Sequence, residues 1–212
     1  GSSNVAIGAN AMAATISATQ NTVVGKDAML VATAGDRNNA LGHGAMATLT
    51  TGTDNVAIGQ GALDAATTAI ENVAIGTDAL GACTVGTFNV AIGDDALLLL
   101  TTATSCVAIG RDALKAVTTG VDNTAVGDEA GNTITTGDGC TLIGRNAQAS
   151  GATAVDQITL SAGSGAIITN MANASITIGS NARVIRCDFG ADQTWDADSD
   201  ARQKNVIGES QL

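Results

Sequence analysis

The chain has 212 residues, including 26 glycines, no proline and 1% aromatic residues, and 45% of it is hydrophobic. This apolar content excludes a disordered chain, and a core without aromatic rings must be thin. The formal net charge of −11 provides no basic surface for nucleic acid and disfavours anionic membranes. No apolar run approaches the length of a membrane span, so we expect no membrane insertion.

A 17-residue repeat organises most of the chain. A glycine recurs at this spacing, and an alanine follows three residues after each one. So constant a period is typical of a solenoid, in which each coil stacks on the one before it. We therefore predict an all-β parallel β-roll or β-solenoid over residues 1–182, with about eleven coils, nine regular and two degenerate. The repeat glycines are Gly8, Gly25, Gly42, Gly59, Gly76, Gly93, Gly110, Gly127 and Gly144.

Each coil begins with a short apolar strand before its repeat glycine, as in Val56-Ala57-Ile58. Alternation places valine and isoleucine on one face of this strand and alanine on the other. A single solenoid hides one of these faces and exposes the other along its whole length. Because soluble monomers avoid large apolar patches, we expect the rods to pack side by side as an oligomer.

The rest of each coil predicts a second short strand and two tight corners. The tenth residue after each repeat glycine is always glycine or alanine, which indicates a turn or a close approach of backbones. We expect a positive φ at the glycines of this position, which are Gly35, Gly52, Gly86, Gly120 and Gly137.

Three polar columns follow the repeat. Asparagines precede most strands, and we expect them to hydrogen-bond along the rod or to cap its corners. Acidic residues at Asp27, Asp78, Asp95, Asp112 and Glu129 suit either a Ca²⁺ site or backbone capping, and we favour capping because Asn and Gly share the position. The column Thr33, Thr50, Thr67, Thr84, Thr101, Thr118 and Thr135 suits either ice binding or a solvated strand, and we favour the strand. We expect no metal and no cofactor.

The cysteines and the single histidine offer no catalytic set. Cys106 and Cys140 occupy the same position two coils apart, about 10 Å from each other at the usual strand spacing, which is beyond disulfide reach. Cys83 and Cys187 lie in other registers, so free buried thiols are expected. We interpret His43 as a solvated corner residue. Without a nucleophile, base and oxyanion donor set, the chain is expected not to be an enzyme.

The period decays towards the end of the chain. Ser161 replaces the repeat glycine in a tenth coil, and an eleventh coil ending at Gly179 arrives one residue late. The pattern stops after Arg183, and residues 183–198 are interpreted as a transition or stem segment that carries Trp195. The repeat is already under way at Asn4, which favours a segment of a longer polypeptide.

The repeats resemble those of two families of trimeric fibres. The sequence NVAIGTDAL, residues 72–80, is similar to repeats in the heads of trimeric autotransporter adhesins. Repeats of bacteriophage tail fibres are closer still, because they share the 17-residue spacing and a Thr-Thr-Gly corner, found at residues 50–52, 118–120 and 135–137. The resemblance covers about residues 4–182 and implies a trimeric, parallel, left-handed β-roll, with the three chains either intertwined or side by side.

The end of the chain resembles the junction into the intramolecular chaperone of endosialidase-type phage fibres. The resemblance rests on residues 176–179, 186–187 and 199–204. It implies that Ser199 and Asp200 flank a self-cleavage junction, with Arg202 and Lys204 on the chaperone side, and that cleavage occurs only if a full chaperone domain follows in the native gene. Gln203 departs from the family pattern. A chaperone needs on the order of 100 residues, so residues 199–212 represent only its start.

The expected function is therefore a structural and adhesive segment of a phage tail fibre in the virion. It acts as a stiff trimeric spacer that presents a host receptor-binding region located elsewhere. Its partners are two copies of itself, other tail or fibre proteins, and a host surface receptor reached through another region. Two alternatives remain open: the head of a bacterial surface adhesin, and an ice-binding solenoid.

Overall fold

The computed structural model describes residues 1–161, 168–169, 175–180, 183–188 and 195–198. Every described element is a β-strand, and the regular coils contribute one three-residue strand each. The all-β solenoid prediction is confirmed. The regular strands are β1 Val5–Ile7, β2 Thr22–Val24, β3 Asn39–Leu41, β4 Val56–Ile58, β5 Val73–Ile75, β6 Val90–Ile92, β7 Val107–Ile109, β8 Thr124–Val126 and β9 Thr141–Ile143. The later strands are β10 Ala147–Gln148, β11 Gln157–Ser161, β12 Ile168–Thr169, β13 Ser175–Ser180, β14 Arg183–Asp188 and β15 Trp195–Asp198.

One sheet contains thirteen of these strands and follows the chain order, with β10 and β12 forming a separate parallel pair. Strands β1 to β9, then β11 and β13, are parallel neighbours. Each regular strand pairs with the residues 17 positions further along, as Val56 does with Val73. Ile158 pairs instead with Ile176, so the eleventh coil arrives one residue late, as predicted.

The interior of the rod is filled by alanine together with leucine, methionine and other aliphatic side chains. The central alanine of the strand, such as Ala57, is fully buried, and so is the alanine three residues after the repeat glycine, such as Ala62. Leu63, the next residue, is also fully buried, because its φ of 54° bends the chain so that two consecutive side chains face inward. Among the described residues, the core therefore contains aliphatic side chains, methionines and thiols and no aromatic ring.

The repeat glycines are fixed by close stacking of the coils. Gly110 has a φ of 135°, and a Cβ added there would lie 2.5 Å from the carbonyl oxygen of Gly127 in the next coil. L-residues rarely adopt this backbone conformation, and the contact is shorter than real Cβ atoms tolerate. The glycine column therefore sets how closely neighbouring coils approach.

Two expectations about the rest of the coil are wrong. The second strand is reduced to isolated bridges that link Thr53, Ile70, Thr87 and Thr104. Gly35 and the other glycines of its column do not have a positive φ. A Cβ at Gly35 would lie 2.7 Å from the carbonyl oxygen of Gly52, so close stacking of backbones accounts for the small residue.

The asparagine column forms the predicted hydrogen-bonded ladder. The Asn72 side chain donates through Nδ2 to the Oδ1 atom of Asn55 at 3.1 Å and to the carbonyl oxygen of Gly86 at 2.8 Å. Its own Oδ1 accepts the backbone N–H of Asn89 at 3.0 Å. Cys106 takes a place in the ladder, with its N–H bonded to Asn89 Oδ1 and its sulfur to the carbonyl oxygen of Gly120. The ladder thus satisfies polar groups inside the rod.

The parallel progression ends at β13. Strand β14 pairs antiparallel with β13, and β15 pairs antiparallel with β14. Trp195 lies opposite Cys187 in this last pairing. The reversal coincides with the point where the sequence repeat stops.

Candidate functional site: an exposed apolar ridge

The outward face of the strands carries a continuous column of apolar side chains, here called the outer ridge. It is formed by the third residue of each regular strand and its equivalents in the last two parallel strands. Exposure ranges from 36% at Ile92 to 59% at Ile7 among its most exposed members. All eleven ridge positions are aliphatic: Ile7, Val24, Leu41, Ile58, Ile75, Ile92, Ile109, Val126, Ile143, Leu160 and Ile178.

The other outward position of the strand is less uniform in residue type, and its side chain is half-buried in β4 to β7. Val56, Val73, Val90 and Val107 are half-buried. Thr22, Asn39, Thr124 and Thr141 replace valine at this position in other coils. The sequence analysis treated the valine and isoleucine positions alike, whereas the structure identifies the isoleucine position as the apolar ridge. The sequence repeat already shows that the isoleucine position is aliphatic in every coil.

The ridge ends in a surface groove of about 500 Å³. Ile143, Leu160 and Ile178 line it, together with Ser161 and Gly179. These aliphatic residues belong to three successive parallel strands, so the groove is a continuation of the ridge.

The acidic column does not cap backbone N–H groups, so that interpretation was wrong. Asp27, Asp78, Asp95, Asp112 and Glu129 all have φ values of 52–57°. Asn, Asp and Gly tolerate this left-handed conformation best, which explains why they fill every position of the column except that of Glu129. Backbone capping occurs in another column, where an Asp36 carboxylate oxygen accepts the Thr19 N–H at 2.6 Å.

Basic side chains lie among the stacked carboxylates. Lys115 Nζ is 2.7 Å from Asp95 and 2.8 Å from Asp112, which lie in adjacent coils. The Arg111 guanidinium contacts Asp112, Asp128 and Glu129. The carboxylates around Lys115 raise its pKa, chiefly through hydrogen bonds to Asp112 and Asp95. Within the described ranges, no group of three or more His, Cys, Asp or Glu side chains is arranged to hold a metal ion.

The threonine column forms a second ladder between coils. Thr67 Oγ1 donates to the carbonyl oxygen of Thr84 at 3.2 Å, and Thr84 Oγ1 donates to that of Thr101 at 3.2 Å. These hydroxyl groups are half-buried and their hydrogen atoms are already used. The arrangement favours a structural role for this column over the ordering of water.

The thiols and the histidine occupy the expected surroundings. Cys83, Cys106 and Cys140 are free and buried, which confirms the prediction for these three. Burial raises the pKa of Cys83 and that of Cys106 to about 11, so both are protonated at neutral pH. The His43 side chain is 57% exposed, and its Nε2 lies 3.8 Å from Asp27.

The candidate self-cleavage junction lies outside the described residues. This applies to Ser199, Asp200, Arg202 and Lys204. The described residues nearest to them in the sequence are those of β15, which ends at Asp198.

Nothing in the described ranges forms a helix of the length and apolar character that crossing a bilayer requires. Comparison with known proteins finds no matching family model, no similar curated protein and no similar solved structure.

Proposed function

We propose that this chain is a rigid structural segment of an adhesive fibre, and that it functions as a homotrimer. The observation that carries the proposal is the outer ridge, which runs along eleven parallel strands of a single chain and is exposed at seven of its eleven residues and half-buried at the other four. At about 4.8 Å per strand, the ridge extends for roughly 50 Å. An exposed apolar surface of this length marks an interaction surface in a soluble protein.

Copies of the same chain are the partners that match the ridge best. Its residues recur at one spacing, so a parallel copy presents the same spacing and contacts it along the whole length. Side chains as short as valine, isoleucine and leucine allow close approach of the rods. The resemblance of the repeats to phage tail fibres supports three copies and the virion as the location.

The spacer role follows from the way the rod is held together. Backbone hydrogen bonds join every coil to the next, as from Val56 N–H to the Asn72 carbonyl oxygen at 2.9 Å. The asparagine and threonine ladders add side-chain hydrogen bonds in the same direction. These hydrogen bonds resist stretching and bending of the rod, as a spacer requires. We propose no catalytic role for it.

Substitution of the ridge tests this proposal. The variant Ile92→Asp/Ile109→Asp places charges at adjacent ridge positions. The control variant Thr119→Asp/Thr136→Asp places the same charges at two exposed threonines, each next to a member of the threonine column and away from the ridge. We expect light scattering to give a single-chain mass for the folded ridge variant and the wild-type assembled mass for the flank variant. An unchanged mass for the folded ridge variant would contradict the proposal.

Two further measurements separate the alternatives. Immunogold labelling with an antibody against residues 1–161 is expected to mark virion tail fibres. Labelling of a bacterial outer surface, together with a secretion signal and membrane anchor in the full gene, would favour the adhesin head. Thermal hysteresis above the buffer value would favour ice binding.

A further inference from the structure

The sheet carries its apolar residues on the outward face where the repeat ends. In β11, Thr159 is fully buried inside the rod, whereas its neighbours Ile158 and Leu160 are half-buried on the outer side. In β13, Thr177 is fully buried and Ile178 is 40% exposed. In a soluble protein, aliphatic residues usually take the buried positions and polar residues the exposed ones. These two strands therefore bury their polar face and expose their apolar one.

The extra residue of the eleventh coil maintains this orientation. Thr177 pairs with Thr159, so one more residue separates them than separates partners in the regular coils. At the regular spacing Ile176 would pair with Thr159 and lie inside the rod, because a one-residue slip turns a strand over. The observed register keeps both isoleucines of β13 outside, although Thr177 Oγ1 is then buried with no hydrogen-bond partner among the described residues. Because such a hydroxyl is unfavourable, we expect a compensating contact on the outer face.

The pairing register extends the same division across the antiparallel strands. Residues directly opposite each other in a sheet belong to one face. The inner row begins with Thr159 and Thr177 and continues with Arg186 and Asp196. The two outer rows contain no charged residue; they are Ile158, Ile176, Cys187 and Trp195, and Leu160, Ile178, Ile185 and Ala197. We call these eight outer positions the end face.

We propose that a second copy of this chain packs on the end face, and that this is the strongest contact of the assembly. The inference rests on the proposed self-assembly and names the part of the rod that carries it. Leu160 and Ile178 belong both to the outer ridge and to the end face, so the two surfaces are continuous. A parallel copy brings its own end face to the same level and so provides an uncharged apolar surface of the same extent.

The end face differs from the ridge of the regular coils in what surrounds it. In β1 to β9, the row beside the ridge includes four polar residues, which are Thr22, Asn39, Thr124 and Thr141. Both rows of the end face are apolar, and the groove of about 500 Å³ beside Leu160 and Ile178 leaves room for side chains of another copy. The regular coils also have an apolar interior, whereas the inner row at this end is polar. Hydrophobic contacts at this end of the sheet therefore lie on its outer face.

Matched substitutions of two isoleucines in each region test the inference. The variant Ile176→Thr/Ile178→Thr alters the end face, and Ile75→Thr/Ile92→Thr alters the ridge of two regular coils. In each pair one side chain is half-buried and the other is exposed, at 40% for Ile178 and 36% for Ile92. Threonine is β-branched like isoleucine and keeps the preference for a strand.

Subunit exchange is the measurement. Unlabelled and nitrogen-15-labelled assemblies of one variant are mixed, and native mass spectrometry follows the appearance of mixed species. We expect the end-face variant to exchange at least tenfold faster than the ridge variant, or to be a single chain where the ridge variant is still assembled. Equal exchange rates, or a single-chain mass for both variants, would overturn the inference. A folded wild type of single-chain mass would instead overturn the proposed self-assembly, and this inference with it.

A milder pair of variants covers the case in which the end-face threonine variant loses its β signal in circular dichroism. Ile176→Val/Ile178→Val is then compared with Ile75→Val/Ile92→Val. Valine already occupies the ridge at Val24 and Val126, so we expect both variants to fold. The end-face variant should again exchange faster, by at least twofold, and equal rates would overturn the inference.

Discussion

Substitution of a repeat glycine by alanine gives the sharpest test of how the coils stack. Gly110 is the example, because its φ is 135° and an added Cβ would lie 2.5 Å from the Gly127 carbonyl oxygen and 3.0 Å from the Asp128 nitrogen. Those neighbours are backbone atoms, so they cannot move aside as a flexible side chain does. Alanine therefore forces the two coils apart or changes the φ angle.

The expected loss of stability has two parts. A strained φ costs about 1–3 kcal/mol, and overpacking costs about 1–3 kcal/mol more. Gly44→Ala is the matched control, because Gly44 has a φ of 68° but nothing lies within 4 Å of an added Cβ. The control should lose only about 1–2 kcal/mol, the cost of a left-handed backbone. The difference between the two variants contains the close contact between coils together with any extra backbone cost of a φ of 135° over one of 68°.

Urea unfolding followed by circular dichroism is the assay, at one fixed protein concentration because assembly shifts apparent stability. We expect the midpoint of Gly110→Ala to fall well below that of Gly44→Ala. Equal midpoints would refute the conclusion that backbone stacking, and not φ alone, fixes the glycine column.

Three further predictions concern buried and charged groups. Asn72→Ala should lower the free energy of unfolding by about 2–5 kcal/mol, because it leaves its buried hydrogen-bond partners in the ladder unsatisfied. Asn72→Cys should lower it less, because Cys106 shows that a cysteine can take a place in the ladder. Equal losses for the two variants in urea unfolding would contradict this prediction. Burial raises the pKa of Cys83 and Cys106 to about 11, so the free energy of unfolding should fall as pH rises from about 9 towards 11, by about 1.4 kcal/mol per pH unit for each thiol. Cys83→Ala should reduce this pH dependence when urea unfolding is measured at alkaline pH. The same slope in wild type and variant would count against the prediction. Hydrogen bonds from the Thr19 side chain and backbone lower the pKa of Asp36. The Asp36 carboxylate therefore contributes to stability above the unfolded pKa of about 3.9, and this contribution is lost as pH falls through the folded pKa. The stability difference between wild type and Asp36→Asn should shrink below about pH 4, and a constant difference would disprove the assignment.

The sequence predicted the architecture because the repeat states it many times. Period, strand position, the alternation of Val56-Ala57-Ile58 and the asparagine ladder all follow from one coil, and the late eleventh coil follows from the spacing of Gly179. These features depend on local alternation and on stacking, both of which a single sequence records.

The backbone conformation of the corners could not be predicted in the same way. The sequence analysis assigned positive φ to Gly35 and its column because glycine permits it. The structure instead places positive φ on Asp27, Leu63 and Phe88. Glycine at position 35 reflects the nearness of the next coil, which depends on three-dimensional stacking. The acidic column was interpreted as capping for a similar reason, because residue type alone does not reveal the left-handed backbone at its positions.

The site was only partly predictable. An apolar outward face followed from alternation, but its restriction to the isoleucine position depends on how the coil turns after each strand.

The mass of the wild-type protein in solution tests the central claim most directly, because the claim is that copies of the chain cover the outer ridge. Native mass spectrometry, with circular dichroism on the same sample to establish the β fold, is the measurement. The account predicts a species of three times the 20.7 kDa chain mass that persists on dilution. A folded, soluble species of 20.7 kDa would contradict it.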